Sequence, residues 1–153
     1  MEIIYRNAKE NDIGVLVESR MAFIGMTADD EEYEFIRNNV REYFQQVMEG
    51  NRCGIILAEH MGVIVGTGII FYYHSVPSKF NPWGGKAYIT SMHAKDEYRR
   101  QGIATKILNG LLGCAQKRGY HVFLLHESEM GRALYEKCGF IEGKAGMIMK
   151  NLP

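Results

Sequence analysis

The stretch Arg99-Arg100-Gln101-Gly102-Ile103-Ala104 has the clearest chemical use in this chain. It follows a strand-like run, Ala87–Ala94, and opens a helix-like run, Ile103–Arg118. Small residues at Gly102 and Ala104 let backbone come close to a ligand. A helix start presents N–H groups that have no intrahelical partner, together with the positive end of the helix dipole. Next to two arginines, such a turn makes a seat for phosphates.

Two common phosphate loops are excluded. Gly85-Lys86 lacks the earlier glycine of a nucleoside-triphosphate loop, because Phe80 holds that place, and Ala87 stands where Ser or Thr is needed. Gly66-Thr67-Gly68 lacks the third glycine of a dinucleotide fingerprint, because Phe71 is there. What remains is an Arg-x-x-Gly-x-Ala turn, preceded by two β-rich segments and followed by Ala133-Leu134-Tyr135-Glu136-Lys137-Cys138-Gly139-Phe140. The two motifs, in this order, resemble the GNAT superfamily of acyl-CoA-dependent N-acyltransferases over nearly the whole chain.

The resemblance implies an acetyl-CoA-dependent N-acetyltransferase acting on a primary amine. It places the coenzyme pyrophosphate on the backbone of Arg99, Arg100, Gln101, Gly102, Ile103, Ala104 and Thr105. It pairs the pantetheine arm with the exposed edge of the preceding strand at Met92, His93 and Ala94, where a backbone N–H polarises the thioester oxygen. Tyr135 falls where the family keeps a tyrosine that protonates the leaving thiolate, and Ser128 stands where many members carry an asparagine against the pantetheine arm. One departure is Asp96, three residues before Arg99, where the family usually has proline. No metal is implied.

The base that takes the amine proton is left open among His93, His74, Glu127 and Glu129, with His93 ranked first. Met92 and His93 are consecutive in a strand, so their side chains point to opposite faces. The acidic run Asp29-Asp30-Glu31-Glu32 with Glu34 suits the solvated start of a helix better than an amine site. The turn-rich segment His74–Gly85, in an aromatic neighbourhood of Phe71, Tyr72, Tyr73, Phe80 and Trp83, is expected to wall the acceptor together with the two N-terminal helices, with Trp83 and Tyr73 lining part of the pocket.

These residues need a scaffold, and 153 residues suffice for one domain with one core, here expected to be a single N-acetyltransferase domain over 1–153. The formal net charge of +0 disfavours nucleic acid and anionic membranes as partners, since both select an excess of Lys and Arg. The N-terminus lacks a signal-peptide core, and no uncharged run is long enough to span a bilayer. Cys53, Cys114 and Cys138 are odd in number, widely spaced and without a Cys-x-x-Cys pair, so small buried thiols in a reducing cytoplasm are expected.

Strands are expected at Glu2–Arg6, at Cys53–Glu59 and Val63–Tyr73 joined as a hairpin, at Ala87–Ala94, at Val122–Leu125 buried on both faces, and over Phe140–Lys150. Helices are expected over Glu10–Phe23, from Thr27-Ala28-Asp29-Asp30 to about Met48 with Phe35, Val40, Phe44 and Val47 on its apolar face, over Ile103–Arg118, and over Met130–Cys138. The fold class is a mixed α/β sheet, mostly antiparallel, flanked by helices, with one right-handed βαβ crossover through Ile103–Arg118. A catalytically silent acyl-CoA-binding module of the same fold is the competing function, and the presence of Tyr135 favours the enzyme. The amine, whether a small molecule or a peptide, is not legible, and a homodimer is compatible with the chain.

Overall fold

A computed structural model describes residues 1–143 of the chain. Among these residues, five strands form one sheet in the order of the sequence: β1 (Ile4–Asn7), β2 (Cys53–His60), β3 (Val63–His74), β4 (Gly85–Ala94) and β5 (Phe123–Leu125). The first four pair antiparallel, and β5 joins β4 in parallel. The helices of the described residues surround them: α1 (Ile13–Phe23), α2 (Tyr33–Glu49), α3 (Ile103–Lys117) and α4 (Arg132–Lys137). The chain is thus a single mixed α/β domain with one parallel crossover through α3. The strands expected over Phe140–Lys150 lie mostly outside the described residues.

Alternation along β2 explains the layers. Ile55 and Leu57 face α1 and α2, where they meet Leu16, Val17, Met21 and Phe44. Ile56 and Ala58 face the other way, onto Ile103, Ile107, Leu108, Leu111 and Ala115 of α3. The α3 stripe is the one its periodicity predicts. Gly66-Thr67-Gly68, which is no dinucleotide motif, sits beneath this helix. A Cβ on Gly68 would run into Ile107 and stand 2.7 Å from Met92 Sδ, so the glycine lets α3 approach the sheet.

Four expectations are corrected. Helix α2 begins at Tyr33, because Asp30 accepts hydrogen bonds from the Thr27 N–H at 2.6 Å and the Thr27 hydroxyl at 3.3 Å, closing a separate turn before the helix. Phe35 is exposed, since nine residues at about 100° each put it opposite the buried Phe44. Strand β5 is not buried on both faces, and Leu124 is 38% exposed. The three cysteines are free thiols, half-buried rather than fully enclosed. No described helix is long and apolar enough to cross a membrane.

Candidate active site

The pairing of β4 with β5 runs only from Ala87 opposite Phe123 to Ile89 opposite Leu125. Beyond Ile89, β4 continues to Ala94 with no partner on this side among the described residues, so Met92, His93 and Ala94 lie on an open edge. On its other side β4 stays paired with β3, but out of step. Thr67 faces His93 and Ile69 faces Thr90, so Gly68 opposes two residues, Ser91 and Met92. Ser91 takes up the extra length with φ +51°, a β-bulge of the kind that re-aims side chains beside functional sites.

The bulge decides what each neighbour touches. Met92 and Ala94 pack on the α3 side of the sheet. His93 turns to the α1 side, edge-on to Phe23 with ring centroids 6.0 Å apart. There it lines a small crevice with Ser19, Arg20, Phe23, Thr67 and Ser91. Arg20 Nη1 donates to Ser91 Oγ at 3.0 Å, and its guanidinium carbon lies 5.3 Å from the Phe23 ring centre. Burial pushes the His93 pKa below its ordinary value, Arg99 and Lys95 push it further, and Asp96 opposes them. The imidazole is therefore held neutral and able to accept a proton.

The Arg99–Ala104 turn follows the end of β4. A short 3₁₀ turn, Asp96–Tyr98, leads into Arg99. Arg100 and Gly102 then both adopt left-handed backbone, at φ +60° and +78°. Such strain at a non-glycine residue marks candidate functional positions. Gly102 caps α3 with no side-chain hydrogen bond, and the first α3 bond there runs from the Lys106 N–H to the Gly102 carbonyl at 3.1 Å. The N–H groups of Ile103, Ala104 and Thr105 therefore point out of the helix start. A Cβ on Gly102 would meet no atom within 4 Å, so the space before the helix is clear of protein.

The two arginines differ. Arg99 is tied down, with Nη2 2.7 Å from Asp96 Oδ1 and Nε 3.4 Å from the Ala94 carbonyl. Asp96, the departure from the family's proline, thus fixes Arg99, while Arg100 stays exposed at the turn. Gln101 braces the turn from Nε2 to the Glu97 carbonyl at 3.2 Å. The Ile103 side chain is buried between α3 and the sheet, which leaves only its backbone N–H on the turn.

Tyr135 and Ser128 come together around Gly131. The Ser128 hydroxyl accepts the Gly131 N–H at 3.2 Å and shapes the entry to α4. Tyr135 packs against the α3-side core, the same layer as Met92 and Ala94. Burial and the nearby Glu127 raise its pKa, which keeps the hydroxyl protonated and able to donate. Sequence reasoning missed Arg20, Phe23 and Ser91 because nothing local marks them. It also missed His126, whose Nδ1 meets the Tyr88 hydroxyl just past the end of β5.

The structure moves two expected residues away. His74 packs on Tyr120, with centroids 5.7 Å apart, and Trp83 packs edge-on to His121 at 6.4 Å. Both lie beside the start of β4, His74 at the end of β3 opposite Gly85 and Trp83 in the loop just before it, whereas the Arg99 turn follows the end of β4. Ten residues of strand, roughly 30 Å, separate the two. Helix α1, not the Trp83 loop, stands beside the bulge. Among the described residues, no group of three His, Cys, Asp or Glu is placed to hold a metal ion.

The family model described as acetyltransferase (GNAT) family matches residues 20–140. Among solved structures, the chain is similar to a predicted acetyltransferase from Clostridium acetobutylicum determined with acetyl-CoA. The TM-score is 0.87 at 28% identity, over 97% of this chain and 96% of that one. It is also similar to a GCN5-related N-acetyltransferase from Ralstonia eutropha, with TM-score 0.84 and 18% identity over 99% of both chains. A third likeness is to glucosamine-6-phosphate N-acetyltransferase from Arabidopsis thaliana, with TM-score 0.75 and 16% identity over 99% of both chains. A comparison with the curated proteins returns no match.

Proposed function

Because the chain belongs to the GNAT acetyltransferase family, we propose that it moves an acetyl group from acetyl-CoA to a primary amine, the amine attacking the thioester directly. One observation carries this reading. On one side of the sheet, Met92 and Ala94 of the open β4 edge, Ile103 at the start of α3 and Tyr135 pack into one core, and the His93 side chain faces the other side.

Each residue then has a task. The N–H groups of Ile103, Ala104 and Thr105, with Gly102 leaving the approach clear and Arg100 adding positive charge, hold the pyrophosphate. Arg99, Gln101 and Asp96 keep that turn in shape. The backbone edge at Met92, His93 and Ala94 holds the pantetheine arm in line with the strand, and Ser128 supports it. When bound, the coenzyme supplies an activated acetyl group. The amine nitrogen attacks the carbonyl carbon and the carbon–sulfur bond breaks. The Tyr135 hydroxyl gives its proton to the departing sulfur, and neutral His93 takes the proton lost by the amine. A backbone N–H of the β4 edge stabilises the negative charge that develops on the carbonyl oxygen. Acid and base on opposite faces let the amine enter from the α1 side while the thiol departs on the α3 side.

The test is thiol release from acetyl-CoA across a panel of primary amines, with coenzyme binding measured in parallel by titration calorimetry. Release that depends on one class of amine is the expected result. Coenzyme binding without release for any amine would make the protein a silent binder and overturn the transfer.

A further inference from the structure

The α1 side of the bulge carries a charge that the transfer reaction does not use. Arg20 is half-buried, its guanidinium held by a hydroxyl on Ser91 and by the Phe23 ring rather than by an acid. No carboxylate among the described residues pairs with it. Glu18, two residues before it on α1, is turned to Arg37 of α2 at 2.7 Å. One bond to Ser91 leaves most of the guanidinium N–H donors unspent. An arginine that is ordered yet lacks a carboxylate is built for an anion from outside, because its planar fork matches a carboxylate or a phosphate.

Its position says which molecule brings the anion. Arg20 and His93 contact the same Phe23 ring, at 5.3 Å and 6.0 Å from its centre, so the cation stands close to the group that receives the amine proton. The coenzyme phosphates belong to the α3 start, beyond the end of β4. The crevice between Arg20 and the bulge has a volume of about 10 Å³, enough for one water-sized group, so an acceptor's body lies outside it over the Arg20–Phe23 rim.

We propose that Arg20 anchors an anionic group of the acceptor, and that the preferred acceptors are small amines whose carboxylate or phosphate sits a few bonds from the reacting nitrogen. This rests on the transfer reaction proposed above. Free amino acids are the simplest members of the class. Neutral amines of the same size leave the guanidinium without its partner and bind more weakly.

The experiment compares matched acceptors: L-alanine against L-alaninamide for a carboxylate, and O-phosphoethanolamine against ethanolamine for a phosphate. At least one anionic member should show a KM roughly tenfold or more below its neutral partner, and which pair splits identifies the anion. Arg20→Glu should reverse the preference within that pair, and Arg20→Lys should keep part of it. Equal KM values within both pairs, or an Arg20→Glu enzyme that loses both members alike, overturn the anchor while leaving acetyl transfer standing. Absence of thiol release with every amine overturns both.

Discussion

Tyr135 lies across Gly131, so closely that a Cβ on Gly131 would stand 2.8 Å from the ring carbon Cε2. The same Cβ would be 3.3 Å from Ser128 Oγ. The glycine therefore sets the height of the phenol over the entry to α4. Tyr135→Phe removes only the hydroxyl and keeps this packing. Turnover should fall by about 10²-fold, the low end of the usual range for a general acid, because a thiolate leaves tolerably by itself. Coenzyme affinity should stay. Steady-state rates and titration calorimetry on the same protein check both, and wild-type turnover across the pH range would assign Tyr135 to packing alone.

Gly102→Val should weaken coenzyme binding by at least about tenfold, or ~1.4 kcal/mol. At φ +78° a β-branched residue is strained, and its side chain enters space that no protein atom occupies. Calorimetry on the folded variant decides, and unchanged affinity would remove the turn from the site.

As the proposed base, His93 should set the acid limb of the rate profile. Its pKa lies below the ordinary 6.5, so the neutral base persists into mildly acid solution and is lost only as pH falls further. The acceptor kcat/KM should decline on the acid side with a midpoint under that value. His93→Gln should abolish this limb and cost about 10²-fold or more in kcat. A profile whose acid limb is the same in the variant would give the base to another group.

Asp12 ties the turn that leads into α1 to strand β1. Arg6 forks onto its carboxylate at 2.8 and 2.9 Å, the Lys9 N–H adds a third bond at 2.8 Å, and Arg6 Nε reaches Glu59 at 2.9 Å. The Arg6 guanidinium holds the Asp12 carboxyl below its ordinary 3.8, against the opposing effect of burial. The folded pKa is depressed, so this stability is present above about pH 4 and drains away as pH falls through the folded value. Asp12→Ala should cost roughly 2–3 kcal/mol at neutral pH, somewhat less than a fully buried pair because Arg6 is partly exposed. In a chain of this size that lowers Tm by about 5–10 °C. Thermal melts across acid pH should show a smaller pH dependence in the variant.

Trp83→Ala should change neither the acceptor KM nor coenzyme affinity, because the indole is 74% exposed and contacts His121 at the far end of β4. Stability should move by no more than about 0.5 kcal/mol. A selective rise in acceptor KM would return the His74–Gly85 loop to the acceptor wall.

What the sequence determined by itself was local. The apolar stripe of α3, the hairpin of β2 and β3, the Gly102 turn at a helix start and the tyrosine in a short helix before Gly139 all arise from contacts within a few residues, where periodicity and turn chemistry are visible. Helix α2 starts later than its capping pattern predicts because Asp30 closes a turn with Thr27, a local competition that capping patterns do not rank. The site depended on relationships between strands. Alternation alone put Met92 and His93 on opposite faces, and that holds. Which face each received was decided by the extra residue at Ser91, which shifts the strand's alternation and is visible only in the pairing of β4 with β3. The same pairing register separated Trp83 and His74 from the Arg99 turn and brought Arg20, seventy-one residues away in the chain, onto Ser91. A bulge is the mismatch between two strands, and a helix beside it is placed by the core it shares with the whole sheet. Neither is the property of any one segment, so only the tertiary structure could decide them.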